Sequence, residues 1–149
     1  MLKEKKQSKY LTPLRLALGT ALFSSALLEM TRSYLRPTYG KGKGILPELF
    51  GMLPNFLAGF GIPFLFLGAY YTLQVLVEVI STNPDEGHFF NDRHLRRGFA
   101  FITLLNTLGL ILWEFSQLRS KLTFDLNDIL ATIVGGLACY YWFIRFGRN

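Results

Sequence analysis

The chain has a single cysteine, Cys139, and only two histidines, His88 and His94. One thiol excludes an intrachain disulfide framework and a cysteine-based zinc cluster. Charge is scarce as well: 17% of the 149 residues are Asp, Glu, Lys or Arg, and from Leu49 to Val77 there is none. That run is longer than the roughly 20 residues needed to cross the hydrocarbon core of a bilayer. A soluble domain of this size could hardly bury it. No internal repeat or low-complexity tract stands out. Half of the chain is hydrophobic and 15% is aromatic, which excludes a disordered tail. The 16 Lys and Arg against 10 Asp and Glu leave a net charge of +6. Such a balance would suit a nucleic-acid binder, but no aromatic and basic surface lies outside the apolar runs, so no nucleic-acid partner is expected. The composition is that of an all-α, polytopic integral membrane protein.

Four apolar stretches predict one membrane domain over 1–149, a four-helix transmembrane bundle with spans at about 10–30, 54–80, 98–118 and 128–145. The first has an uncharged centre from Leu16 to Leu28, with Arg15 able to carry its guanidinium to the interface on its aliphatic stem. A cleaved signal peptide is the competing reading, with Lys3, Lys5, Lys6 and Lys9 in front and Ser24-Ser25-Ala26 as a small-residue site. The second stretch is expected to begin at Pro54, whose missing N–H suits a first helical turn. Within it, Pro63 predicts a kink or, in a sharper reading, two shorter pieces with one re-entrant. The third is bounded by Arg97 and Glu114 and the fourth by Asp128 and Arg145. Both are minimal spans.

Four spans place both termini on one side. That side would hold Lys3, Lys5, Lys6, Lys9, Arg15, Arg93, Arg96, Arg97, Arg145 and Arg148, and the other Arg32, Arg36, Lys41, Lys43, Arg119 and Lys121. The excess of basic residues favours both termini in the cytoplasm. The N-terminal lysines and Arg93, Arg96 and Arg97 read as anchors for anionic headgroups, making membrane lipids the expected partners.

With that topology the outer ends of the spans collect Glu29, Arg32 and Arg36, then Asn55, then Glu114 and Gln117, then Asp125 and Asp128. Glu114 and Gln117 lie three apart on one helical face, and Asp125 and Asp128 share that spacing. A carboxylate at the hydrocarbon edge is costly without a partner, and Arg32, Arg36, Arg119 and Lys121 are the available cations. Two plainer roles compete. Asp125, Asn127 or Asp128 could cap the last helix, and Glu114 could snorkel beside Trp113 in the interfacial belt. In the last span Ala131, Gly135 and Cys139 recur every four residues, with Thr132 and Gly136 one position on. This small-residue stripe is a packing surface, and Cys139 is a member of it, not a nucleophile.

The run Glu114-Phe-Ser-Gln117, then Phe124-Asp125-Leu-Asn-Asp128-Ile-Leu-Ala, then Gly135 resembles the signature of the VanZ-like membrane proteins. The resemblance covers about the last 35 residues and the four-helix layout. The chain departs from that pattern at Thr132, Cys139 and Leu122, and at Leu53-Pro54-Asn55-Phe56, where many members carry Asp and Lys followed by His. It implies a bacterial membrane protein of the cell envelope. The family's namesake is associated with resistance to a teicoplanin-type antibiotic. No catalytic residue is carried over; Glu114, Gln117, Asp125 and Asp128 match the family's polar positions.

Other chemistries find little footing. Gly40-Lys41-Gly42-Lys43-Gly44 lacks the ending of a phosphate-binding P-loop and reads as a hinge. His88 and His94 around Asn91 and Asp92 make a weak metal motif. Ser24, Ser25, Ser33, Ser116 and Ser120 have no histidine on their side of the membrane to act as a base. The expected function is binding of a lipid or lipid-linked anionic group at the outer polar cluster, with Glu114, Gln117, Asp125, Asp128, Arg32 and Arg36 as the candidate residues and no cofactor. The alternatives are an assembly subunit with a membrane protein partner, docked through the small-residue helix, and a magnesium-dependent lipid phosphotransferase.

Overall fold

The computed structural model describes residues 10–42, 44–80, 92–118 and 125–146. All of its regular elements are helical: α1 (Leu11–Met30), a π-helical turn (Thr31–Leu35), α2 (Arg36–Tyr39), α3 (Ile45–Ile80), α4 (Asp92–Gln117) and α5 (Leu126–Phe146). The π turn joins α1 to α2 without a break, so among the described residues there are four helices long and apolar enough to cross a membrane. Their outward faces carry large apolar side chains, among them Phe23 at 70% and Leu137 at 65% exposed. Such surfaces are untenable in water and ordinary against lipid tails.

Helix α3 begins at Ile45, nine residues ahead of the expected start at Pro54. The proline that fits the first turn is Pro47, where the N–H is dispensable, with Glu48 favourably placed at the positive end of the helix dipole. Pro54 and Pro63 both lie inside the helix, which continues through them as one piece to Ile80. No re-entrant break forms. One residue before the carbonyl that Pro63 leaves without a donor, Ala58 O accepts from Asn106 Nδ2 at 3.4 Å. In front of α3, Gly42 and Gly44 adopt φ of 111° and 141°, values open to glycine and strained for other residues. The expected hinge is therefore a turn that returns the chain.

The second long helix of the sequence is also the centre of the fold. Helix α3 packs against α1, α4 and α5, whereas among the described helices α1 packs on α3 and its own π-helical extension. Gly61 faces Ser24 and Gly68 faces Leu18, so α1 and α3 run antiparallel. Thr107 against Gly136 and Phe99 against Phe143 set α4 antiparallel to α5. Leu11 and Phe146 consequently lie at the same end of the bundle.

The small-residue stripe of α5 is used within the chain. Ala131, Gly135 and Cys139 are buried, as are Thr132 and Gly136. A Cβ on Gly135 would run into the Phe56 carbonyl oxygen, and one on Gly59 would come within 2.7 Å of Thr132 O. Two backbones thus touch where α3 crosses α5, the close approach that small residues permit. Farther along, Phe64, Phe99 and Phe143 fill the core, with ring centroids 5.5 Å and 4.2 Å apart.

Candidate functional site

The polar residues converge where α3 has just begun and α4 is about to end. Helix α4 presents Trp113 and Glu114 on opposite sides: Trp113 is 61% exposed and Glu114 only 4%. Glu114 therefore does not snorkel beside Trp113 but turns inward. Its Oε1 accepts from Asn55 Nδ2 at 3.4 Å, and the same Asn55 amide acts as a donor towards the Asp128 carboxylate. One amide from α3 thus spans two carboxylates, one from α4 and one from α5. Gln117, half-buried a turn beyond Glu114, lies close enough to act on the same carboxylate. Among the described residues, Glu114 Oε2 is buried without any partner at hydrogen-bond distance.

The two neighbouring acids divide their work. Asp125 Oδ1 accepts from the Asn127 backbone N–H at 2.9 Å, and Asp128 N–H donates to Asp125 O. Asp125 is thus the cap of α5, exposed, with its negative charge felt by both Glu114 and Asp128. Asp128, in the first turn of α5, is half-buried and faces Asn55.

The cations come from the other side of α3. The π-helical turn begins at Thr31, whose Oγ1 donates to Leu27 O at 2.7 Å. A π turn takes up one extra residue within an otherwise continuous helix. Beyond it, Arg36 is the described cation whose charge acts on Asp128. Arg32 is exposed within the turn. Glu29 is drawn elsewhere, accepting from Ser33 Oγ at 2.6 Å. Arg119 and Lys121, the other expected cations, lie outside the described residues, as does His88.

Asn55, Glu114, Gln117, Asp128 and Arg36 are therefore brought together, with Asp125 at the rim and Arg32 outside. Asn55 is the residue that composition alone undervalues. The signal for it was its place as one of two amides, with Gln74, in a run without charge, and the one close enough to an end to meet the helix termini. The donor set holds two inward carboxylates, and among the described residues no three His, Cys, Asp or Glu side chains converge on a metal-sized site. The Gln74 amide is likewise buried and without a partner among the described residues, but at roughly 1.5 Å per residue it lies almost 30 Å along α3 from Asn55. Near that far end His94 joins Phe66, Tyr70 and Phe99 around an apolar cleft of about 150 Å³ between α3 and α4.

Comparison with protein-family models, with characterised proteins and with solved structures yields no match for this chain.

Proposed function

We propose that this chain is a VanZ-like protein that crosses a bacterial cell membrane four times with both termini in the cytoplasm, and that it binds a lipid or lipid-linked anionic group at the outer polar cluster. The observation that carries the reading is the buried Glu114 carboxylate held with Asp128 on the Asn55 amide, at the end of the bundle where Arg32 and Arg36 stand. A carboxylate placed inward at a membrane edge is costly, and such groups commonly mark a ligand site. Guanidinium groups suit a phosphate, which they bind through charge-assisted hydrogen bonds. The charge count along the chain supports the orientation, because the end bearing Arg93, Arg96, Arg97 and Arg145 is the more basic one.

Neither alternative gains from the geometry. The small-residue stripe on which an assembly subunit would dock is covered by α3 and α4 of the same chain. A magnesium-dependent phosphotransferase calls for more oxygen ligands than Glu114 and Asp128 offer.

The test uses the full-length chain in mild detergent. Glu114→Gln and Asp128→Asn should each reduce the phospholipid that copurifies and is seen by native mass spectrometry, at unchanged protein yield. Parental lipid retention in both variants would refute the site. Cysteines placed at Leu118 and at Arg93 should label from opposite sides of the membrane; labelling from one side refutes the orientation.

A further inference from the structure

We infer that the group bound at the Asn55 cluster carries a primary ammonium beside its phosphate, the ammonium lying between Glu114 Oε2 and the Asp128 carboxylate and the phosphate on Arg36. This rests on the lipid-site reading above and narrows it from any anionic group to an aminophosphate headgroup of the phosphoethanolamine kind.

The cluster contains one unfilled acceptor. Glu114 is 4% exposed, yet among the described residues its Oε2 has no donor. Buried polar atoms are nearly always partnered, and an exception calls for a group that completes it. The Asn55 amino group cannot serve, since it is directed at Oε1 and at Asp128. Gln117 acts on the same carboxylate and still leaves Oε2 without a partner, and the charge of Arg36 acts on Asp128. What is missing is a donor that also brings positive charge, since the two carboxylates repel each other and Asp125 adds to that repulsion.

Three kinds of cation can be compared. A divalent metal wants six or more oxygens, whereas here two carboxylates share a donor amide that would repel it. A quaternary ammonium has no N–H and would leave Oε2 unsatisfied. A primary ammonium has three donors on one compact charge, enough for Glu114 Oε2, Asp128 and a third oxygen. Asp128 and Gln117 are half-buried and Glu114 is buried, so the first two keep some exposure on the side of the site. The exposed Arg36, which reaches Asp128 electrostatically, then stands where the phosphate attached to that amine must be.

Titration of the delipidated full-length chain with phosphatidylethanolamine, phosphatidylcholine and phosphatidylglycerol, read by native mass spectrometry, tests this. All three lipids carry the phosphate; phosphatidylethanolamine alone adds a primary ammonium. Phosphatidylethanolamine should bind about tenfold or more tightly than the other two. Glu114→Gln and Asp128→Asn should each abolish that preference, and Arg36→Gln should weaken all three lipids alike. Circular dichroism and a monodisperse elution profile verify the fold; if Glu114→Gln does not fold, the half-buried Asp128→Asn carries the test. Equal binding of the three lipids, all weakened by Arg36→Gln, overturns the ammonium and leaves the phosphate site standing. Binding that none of the variants alters overturns both. Soluble phosphoethanolamine as competitor separates the sources: displacement assigns recognition to the headgroup alone, and persistence of the bound lipid assigns it to the lipid, either supporting the ammonium.

Discussion

Replacing Asn55 by Leu removes the amide that joins three helices while keeping the volume of the side chain. The bond it makes to Glu114 is long, 3.4 Å, so its own contribution belongs at the low end for interhelical hydrogen bonds in lipid, about 0.6 kcal/mol. The larger effect is on what remains. Glu114 Oε2 already lacks a partner, and without Asn55 the buried carboxylate is left with Gln117 alone, which costs about 1–3 kcal/mol. Asp128 is half-buried and recovers part of its loss from water. The expected destabilisation is therefore about 1–3 kcal/mol, measured as the shift in unfolding free energy in mixed micelles titrated with denaturing detergent. The companion Asn55→Leu/Glu114→Leu protein should regain most of that loss, because it buries no orphaned carboxylate. If Asn55→Leu alone is as stable as the parent to within about 0.3 kcal/mol, the amide is not holding the carboxylates and the geometry of the site has been misread.

Gly135→Leu should destabilise by about 1–3 kcal/mol through overpacking against the Phe56 carbonyl, whereas Gly109→Ala, where a Cβ meets nothing within 4 Å, should stabilise by up to about 1 kcal/mol; thermal melts in detergent compare the two. Asp125→Ala should cost about 0.5–2 kcal/mol for loss of the α5 cap and leave lipid selectivity in place, since the residue is at the rim. Deleting Ser33 should remove the extra residue that the π turn absorbs and leave Arg36 in register in ordinary helix, so that lipid binding stays parental; a fall to the level of Arg36→Gln would refute that register.

The four long apolar helices were legible because uncharged runs as long as a bilayer is thick mark themselves off from the charged segments between them. Ala131, Gly135 and Cys139 were legible as a packing stripe because spacing of four places them on one face whatever the partner. The start of α3 was not, since two prolines compete for the role of first-turn residue, and periodicity does not say that Pro47 takes it while Pro54 is buried within the helix. Residues Ile45 to Leu53 are apolar enough to be helix or loop, and the contact of Tyr39 with Phe50, 5.9 Å between ring centroids, is tertiary information. In the cluster, the acidic and basic members announced themselves by charge at span ends. Their division of labour did not. Asp125 and Asp128 are equivalent on spacing alone, and only the backbone of α5 decides that one caps and the other faces inward. Equally, which side of α4 is covered decides that Glu114 turns away from Trp113.

Length then places the cluster in depth. Between Asn55 and Glu78, α3 carries no charge over roughly 35 Å at 1.5 Å per residue, against a hydrocarbon core of about 30 Å. In a core of that thickness Asn55 would fall near one boundary and Glu78 near the other. The antiparallel register set by Gly61 on Ser24 and Gly68 on Leu18 brings Met30 and Thr31 of the first span level with Asn55, which is where the π turn starts. Arg36 lies about five residues farther, beyond the carboxylates by several ångströms. A phosphate is joined to an amine by less than that, so the guanidinium must lean back towards the core to hold both ends of one headgroup. The charge of Arg36 acts on Asp128, the carboxylate that the ammonium is to share.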